Sequence, residues 1–204
     1  MLALGLLVAL ALGLRIWVIE PVRVLTSSMA PTLLAGDVVL VLKTSRPAPG
    51  AIVSFLEPGD AARRHLKRVV ATEGQEVELS QGQLYVNGVS VAVDGIRETV
   101  DWQDSDCGDH RTTGAVERLG RATWRVLEGG SHPRERVAPG GVWLLGDNRG
   151  ASSDSRHWGP VAESSLRGVV QAIVWSRDPC GGPRVDRIGP VAAALGGPVD
   201  QPAR

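Results

Sequence analysis

Short apolar segments separated by glycine- and proline-containing turns limit most strongly how this chain can fold. Residues 75–91 (QEVELSQGQLYVNGVSV) alternate apolar and polar side chains around two turns, Gln81-Gly82 and Asn87-Gly88. An Asn-Gly pair is a strong signal for the tight turn between antiparallel strands, so these residues predict a β meander. Similar segments predict further strands at residues 37–43, 51–55, 65–71, 122–128, 141–148 and 167–176. The sequence therefore predicts a mostly β fold.

The 204 residues are enough for one domain of ordinary size with a small insertion. We expect the β domain to extend over residues 20–188. Within it, residues 94–139 carry more charges, scattered glycines and weaker periodicity. They indicate an insertion or minor subdomain with one strand, at residues 122–128, and no motif that assigns a role. Residues 189–204 are rich in Pro, Gly and Ala, so we expect a disordered tail.

The first 19 residues, MLALGLLVALALGLRIWVI, are apolar or glycine except for Arg15. As a helix with a rise of about 1.5 Å per residue they would reach roughly 28 Å, which just spans the hydrocarbon core of a bilayer. A cleaved signal peptide is the first alternative, but no basic segment precedes the run and no small-x-small site follows it. A buried core helix would show one apolar stripe, whereas this run is apolar on every face. We therefore expect residues 1–19 to form a transmembrane helix.

Charge and cysteine content bear on several classes of function. The formal net charge is zero, without the basic excess typical of nucleic-acid binding, so we expect no nucleic-acid partner. Cys107 and Cys180 have no Cys-x-x-Cys or Cys/His ligand spacing, so we expect no metal site, and no motif indicates a cofactor. The two cysteines either form one disulfide in an oxidising compartment or are unrelated thiols, and the sequence leaves both open.

Two adjacent serines, Ser27 and Ser28, lie in the segment TSSMAPTL (residues 26–33). A serine hydroxyl is a weak nucleophile until a base takes its proton. The four histidines show no triad context, which leaves lysine. Of the two lysines in the chain, Lys67 lies in the apolar stretch 66–70, where burial would lower its pKa toward the range of a base. Taken alone, a lysine in a strand is more often a surface residue whose ammonium reaches water.

Three segments together resemble the conserved boxes of type I signal peptidases. They are TSSMAPTLLAGDVVLV (26–41), HLKRVVATEGQEVEL (65–79) and GDNRGASSDSRHWGPV (146–161), in the family's order and behind an N-terminal apolar run. With the closing segment RVDRIG (184–189), the resemblance covers most of the chain outside residues 94–139. It implies a signal-peptidase-type β fold of coiled antiparallel sheets and a serine endopeptidase that removes signal peptides from exported preproteins.

The resemblance also implies specific roles. Ser28, immediately before the methionine, corresponds to the nucleophile, and Lys67 of the Lys-Arg pair corresponds to the general base. Thr26 and the backbone N–H of Ser28 would form the oxyanion hole, and residues i and i+2 of an extended segment project to the same side. Ser152 would hydrogen-bond the lysine. Thr26 and Ser27 depart from the serine and glycine that many members have there.

Supporting residues follow from the same boxes. The resemblance implies a charge network that braces the dyad and makes no bonds to substrate, formed by Asp147, Asp154, Arg156 and Arg68. Four apolar residues flank the dyad in sequence and are expected to line small pockets for Ala-sized side chains at the first and third positions before the scissile bond, namely Val24, Met29, Leu33 and Leu66.

The resemblance implies a single-pass protein of the bacterial cytoplasmic membrane with its catalytic domain on the extracytoplasmic side. Exported preproteins and the lipid bilayer would be its partners, with the secretion translocase as a further candidate. The positive-inside rule, applied to Arg15 and Arg23, gives the opposite orientation. A folded domain of this length can be translocated regardless of its nearest charges, and we expect the motifs to decide.

Three other functions share some of these features. A self-cleaving repressor with the same dyad would be cytosolic and would carry a DNA-binding domain in place of the anchor. A relative of the family could mature one specialised secreted substrate, which only substrate profiling separates. A catalytically idle, membrane-tethered β binding module would tolerate loss of Ser28, Lys67 or Ser152, and all three are present.

Overall fold

The computed structural model describes residue 13 and residues 17–45 and 47–191. In this part of the chain, fifteen strands form three sheets, and all strand pairs within the sheets are antiparallel. The one α-helix described between strands is a single turn, α1 (Ser155–Trp158). The predicted mostly β, antiparallel fold is confirmed.

The first sheet carries the predicted boxes. In spatial order its strands are β1 (Ile19–Arg23), β2 (Asp37–Leu42), β14 (Leu166–Ser176), β3 (Ile52–Glu57), β4 (Asp60–Thr72), β12 (Gly141–Leu145) and β13 (Val161–Ala162), with β15 (Gly189–Pro190) paired to β14. The first half of β4 is mostly exposed, and its second half, from Leu66 to Ala71, is buried. Because β4 lies between β3 and β12, that buried half runs through the interior of the domain.

The second sheet contains the predicted meander. It has the order β11 (His132–Arg136), β5 (Glu76–Ser80), β6 (Gln83–Val86) and β7 (Val89–Ser90). Both predicted turns have the left-handed backbone that such connections require, with φ of 51° and 80° at Gln81 and Gly82 and 53° and 75° at Asn87 and Gly88. The inward side chains of this sheet pack with Trp143 and Leu145 of β12 into one apolar cluster.

The third sheet corrects the prediction of one strand in residues 94–139. Its strands are β8 (Ala92–Gln103), β9 (Asp109–Leu119) and β10 (Ala122–Leu127), in the order β10-β9-β8. The outer part of the β8–β9 hairpin has exposed or half-buried residues on both faces, so it lacks the alternation that marks a strand covered on one face. Its pairing is nonetheless continuous from Arg97 with Ala115 to Gln103 with Asp109.

A disulfide joins Cys107, in the connection between β8 and β9, to Cys180, after β14. Their Cα atoms are 5.8 Å apart. The start of the predicted tail is also ordered, which corrects that boundary. Gly189 and Pro190 pair with β14, and Val191 is 5% exposed in the core, because the chain returns to cover β14.

The predicted membrane segment, residues 1–19, lies almost entirely outside the described residues. Its last residue, Ile19, already begins β1. Across residues 17–45 and 47–191, no helix has both the length and the apolar character needed to cross a bilayer. Residues 192–204 of the predicted tail also lie outside the described part.

Candidate active site

Ser28 and Lys67 are in direct contact. Ser28 lies in the turns between β1 and β2, and Lys67 lies in the buried half of β4. Lys67 Nζ and Ser28 Oγ are 2.7 Å apart, and Nζ also donates to the carbonyl oxygen of Leu66 at 3.1 Å. Ser28 is half-buried, whereas Lys67 is only 2% exposed. The hydroxyl is therefore open to the surface while the amine behind it is removed from water.

Burial sets the protonation state of Lys67. Desolvation of the amine lowers the pKa of Lys67 to about 8, the charges of Asp154 and Asp147 act in the opposite direction, and Arg156 adds to the lowering. A neutral amine has a lone pair that can accept the serine proton, whereas an ammonium can only donate. This site therefore holds a usable fraction of the base form in mildly alkaline solution.

Thr26 also reaches the hydroxyl of Ser28. Its Oγ1 is 3.3 Å from Ser28 Oγ, at the exposed surface of the site, so the two side chains project to the same side of the segment.

Three of the four histidines bond to carboxylates elsewhere, His65 to Glu57, His110 to Asp104 and His132 to Glu135. The hydrogen-bond partners found for Ser28 Oγ in the described chain are Thr26 and Lys67.

Arg68 and Asp147 form a buried, two-pronged ion pair beside the dyad. Arg68 Nε and Nη2 donate to the two carboxylate oxygens of Asp147 at 2.8 and 2.6 Å. Nη1 of Arg68 donates to the carbonyl oxygen of Gly50 at 2.6 Å. Thr32 Oγ1 donates to Asp147 at 2.6 Å, so the same carboxylate also holds the turn that follows Ser28. Sequence reasoning named Arg68 and Asp147 but missed Thr32.

Asp154 and Arg156 form a second pair, at the N-terminus of α1. Arg156 Nε and Nη2 donate to Asp154 at 2.7 and 2.8 Å, and the backbone N–H of Gly146 donates to it at 3.0 Å. Burial alone would raise the pKa of Asp154, but the hydrogen bonds and charge of Arg156, with the Gly146 N–H and the Ser152 hydroxyl, lower it below its usual value. Asp154 is therefore a fixed negative charge near Lys67.

The expected bond from Ser152 to Lys67 is not present. Ser152 is 8% exposed, and no hydrogen bond joins its Oγ to Lys67. Ser152 instead packs against Gly146. A Cβ at Gly146 would collide with the Ser152 hydroxyl and would lie 2.6 Å from the carbonyl oxygen of Ser28. Ser152 and Ser28 thus pack on either side of a residue that has to be glycine.

A third buried carboxylate, Asp37, was not predicted as part of the site. It accepts hydrogen bonds from Ser176 Oγ at 2.6 Å and from Arg187 Nη2 at 2.7 Å. Arg187 Nη2 also donates to the carbonyl oxygen of Thr32 at 3.0 Å, and Arg184 donates to the carbonyl oxygen of Ala35 at 2.6 Å. The segment RVDRIG, which is part of the family resemblance, is the sequence signal for these contacts.

The four apolar residues predicted near the dyad lie in one core cluster, and all are buried. Their exposed fractions are 5% for Val24, 1% for Met29, 0% for Leu33 and 9% for Leu66. Leu66 precedes Lys67 on β4, and Met29 follows Ser28, so the cluster adjoins both members of the dyad along the chain.

A cavity of about 610 Å³ lies apart from the dyad. Its walls include Trp102 and His110 of the β8–β9 hairpin, Asp178 and Arg184 near the disulfide, and Leu34. Ser28 and Lys67 are not among its lining residues. The hydroxyl and amine, rather than the large cavity, therefore define the candidate site.

The family model and the similar proteins described below agree with one another on the family. The family model described as signal peptidase, peptidase S26, matches residues 1–175. Signal peptidase I of Pseudomonas fluorescens is 31% identical over 182 residues, which cover 79% of this chain and 63% of the relative. Signal peptidase I V of Bacillus subtilis is 31% identical over 167 residues, which cover 80% of this chain and 90% of the relative.

The chain spans somewhat less than two thirds of the length of the Pseudomonas relatives that it matches. Among solved structures, a signal peptidase I from Enterococcus faecalis V583 is similar, with 26% sequence identity and a TM-score of 0.39. That match covers 61% of this chain and 97% of the solved chain.

Proposed function

Because the chain belongs to the signal peptidase family, peptidase S26, we propose that it is a membrane-bound serine endopeptidase that removes N-terminal signal peptides from exported preproteins. The observation that carries this proposal is the 2.7 Å contact between Lys67 Nζ and Ser28 Oγ, with the lysine buried and its pKa lowered to about 8. A serine and a neutral lysine in contact are the minimum that acyl transfer requires of a nucleophile and its base.

The reaction begins with proton transfer from Ser28 to the neutral amine of Lys67. As the proton leaves, Oγ attacks the carbonyl carbon of the scissile bond and the carbonyl oxygen becomes an oxyanion. We assign Thr26 Oγ1, 3.3 Å from the nucleophile, and the backbone N–H of Ser28 as donors to that oxygen. The Lys67 ammonium then gives its proton to the leaving amine, and a water molecule, deprotonated by the same lysine, hydrolyses the acyl-enzyme.

The charge network holds its charges at fixed positions and acts on Lys67 electrostatically. The Arg68–Asp147 and Arg156–Asp154 pairs are each held by at least two hydrogen bonds, so their charges stay in place when Lys67 gains a proton. Fixed charges of this kind stabilise an ammonium without the reorganisation that water would need. We assign Ser152 to the same support, through packing against Gly146 rather than through a hydrogen bond to Lys67.

Substrate selection is assigned to the apolar cluster that adjoins the dyad in sequence. Val24, Met29, Leu33 and Leu66 pack in one buried cluster, and we assign to them the walls of pockets that take Ala-sized side chains. One methylene changes binding in an apolar pocket by only about 1–3 kcal/mol, so larger residues are excluded by steric closure. Cleavage would follow small residues at the first and third positions before the scissile bond.

The proposed location is the extracytoplasmic face of the bacterial cytoplasmic membrane, with residues 1–19 as a single-pass anchor. The disulfide between Cys107 and Cys180 supports an oxidising compartment, where such bonds persist. An anchor would hold the site where a preprotein's apolar segment is already embedded and so raise its effective concentration. Preproteins, the bilayer and the secretion translocase are the proposed partners.

The proposed function is tested by cleavage of a purified preprotein that has alanine at the first and third positions before the scissile bond. The wild-type chain should cut once, after the second alanine, and Ser28→Ala should reduce the rate by about 10⁴-fold or more, because members of a dyad act as a unit. Ser27→Ala is the matched control and should cut at the wild-type rate. Cleavage lost in Ser27→Ala and retained in Ser28→Ala would refute the assignment, and an inactive wild type would refute the function.

A further inference from the structure

A buried ion pair joins the third sheet to the turn after β12. Glu117 on β9 and Arg149 in the 3₁₀ turn Arg149–Ala151 are each 2% exposed. Arg149 Nη2 donates to Glu117 Oε2 at 2.5 Å, and Trp124 Nε1 on β10 donates to the same oxygen at 3.0 Å. The carboxylate of Glu117 thus joins two strands of the third sheet to the turn after β12.

One chain of contacts leads from Glu117 to the nucleophile. Arg149 Nε donates to the carbonyl oxygen of Gly146 at 3.0 Å, and the intervening Asn148 N–H donates to the carbonyl oxygen of Ser28 at 3.1 Å. Strand β10 holds the same turn, because the Leu127 N–H donates to the carbonyl oxygen of residue 147 at 2.8 Å. A shift of Arg149 would therefore move the backbone on which Ser28 rests.

A second chain of contacts leads from Glu117 to the charges around Lys67. The guanidinium of Arg68 lies over the ring of Trp124, 4.6 Å from its centroid, and Arg68 is the partner of Asp147. Glu117 fixes the indole through its N–H. The ring therefore forms the wall that keeps Arg68 aligned with its carboxylate.

Glu117 also balances a buried charge. It is the carboxylate hydrogen-bonded to Arg149, whose Nη1 has no partner in the described part of the chain. Burial acts to lower the pKa of Arg149, and Glu117, followed by Asp147 and Asp154, raises it above the usual value. Without Glu117, an unpaired cation would lie beside the two carboxylates that act on Lys67.

We propose that Glu117 is a positioning residue for the Ser28–Lys67 pair, holding Arg149 and Trp124 so that the turn 146–149 supports Ser28 and its charges remain balanced around Lys67. This role gives the third sheet, which no motif explained, a part in the site. The kinetic half of the test below rests on the proposed peptidase function, and the spectroscopic half does not.

The kinetic test compares Glu117→Ala with Glu117→Gln. Alanine removes both hydrogen bonds, so kcat should fall by about 10- to 100-fold, with KM changed by less than about threefold because Glu117 does not touch substrate. Glutamine keeps an oxygen for both donors, so kcat at its own pH optimum should stay within about threefold of wild type. Glu98→Gln, in a half-buried pair with Arg125 on the same sheet, is the matched control and should change neither constant.

The spectroscopic test uses the two lysines of the chain, Lys43 and Lys67. With ¹³Cε-labelled lysine, an NMR titration follows both amines separately, and Lys43 is the internal control. The charged groups that act on Lys67 are Asp154, Asp147 and Arg156, and Glu117→Gln removes the negative charge that balances Arg149 beside Asp147 and Asp154. The pKa of Lys67 should fall by about half a unit in this variant and return toward wild type in Glu117→Gln/Arg149→Met.

The outcomes separate the two proposals. An inactive wild-type chain would refute the peptidase function, while a lower pKa of Lys67 in Glu117→Gln would still support positioning. An active wild type with unchanged kcat in Glu117→Ala, or an unchanged pKa of Lys67 in Glu117→Gln, would refute positioning. Should Glu117→Ala fail to fold, the Glu117→Gln titration decides alone, since glutamine preserves size and hydrogen bonding.

Discussion

Two buried carboxylates hold the segment after the nucleophile in nearly the same way, and they differ in what else they face. Asp147 binds the side chain of Thr32, while Asp37 binds Arg187, which in turn donates to the carbonyl oxygen of Thr32. Each carboxylate is fully buried. Only Asp147 lies among the charges that act on Lys67.

This difference separates two roles at the turn after Ser28, namely fixing the position of the turn and setting the electrostatic potential at Lys67. Asp37 and its arginines fix where the turn lies, and the side chains of Arg184 and Arg187 remain 17% exposed. Asp147 fixes the turn and also sets the field at the amine, with a partner, Arg68, that is fully buried. Changes at either carboxylate should therefore lower stability, whereas only changes at Asp147 should shift the pH dependence of activity.

The largest expected effect comes from neutralising each carboxylate. Asp147→Asn leaves the buried Arg68 without its charge partner and should lower the free energy of unfolding by about 3–5 kcal/mol. Asp37→Asn leaves arginines that can still reach water, so the loss should be smaller, about 1.5–3 kcal/mol. Denaturant unfolding of both variants and of the wild type measures this order.

The same two variants should differ in their activity profiles. Asp147 favours the ammonium form of Lys67, so its removal lowers the pKa of Lys67 and moves the rising limb of cleavage to lower pH. Asp37→Asn should leave the limb in place, even where the rate falls. An equal shift in both variants would show that the two clusters do not divide the tasks.

A smaller effect is expected from the two hydroxyls that cap these carboxylates. Thr32 Oγ1 donates to Asp147 and Ser176 Oγ donates to Asp37, both at 2.6 Å. Thr32→Val and Ser176→Ala each remove one hydrogen bond while the ion pair stays, and each should cost about 1 kcal/mol of unfolding free energy. Only Thr32→Val should also lower kcat, by several-fold, since Thr32 touches the pair beside Lys67. Equal kinetic effects would contradict the division.

Much of the first two sheets could be predicted from the sequence, because their strands are covered on one or both faces and their turns have distinctive residues. Strand β2 shows this, with alternating burial along Asp37–Leu42. The β8–β9 hairpin could not, since its outer residues face water on both sides and its connection is closed by a disulfide. Two cysteines separated by 73 residues give no signal of their distance in space.

The site likewise contains residues that the sequence predicts and contacts that it does not predict. Ser28, Lys67, Arg68, Asp147, Asp154 and Arg156 lie in recognisable segments, and the structure places them together. The contacts of Thr32 with Asp147 and of Glu117 with Arg149 join residues 115 and 32 positions apart. Such pairings depend on how the sheets pack, which no local pattern encodes. The predicted hydrogen bond between Ser152 and Lys67 is absent for a related reason, because the Ser152 hydroxyl is packed against Gly146.

The central claim is that a neutral, buried Lys67 is the base for Ser28, and the pH dependence of kcat/KM for preprotein cleavage tests it most directly. The pKa of Lys67 lies at about 8, and only the unprotonated amine can take the serine proton, so cleavage should rise with pH through about 8 and stay high above it. His65→Gln and His157→Gln should show the same limb. A limb near 6.5, the usual pKa of histidine, that disappears in either histidine variant would contradict the account.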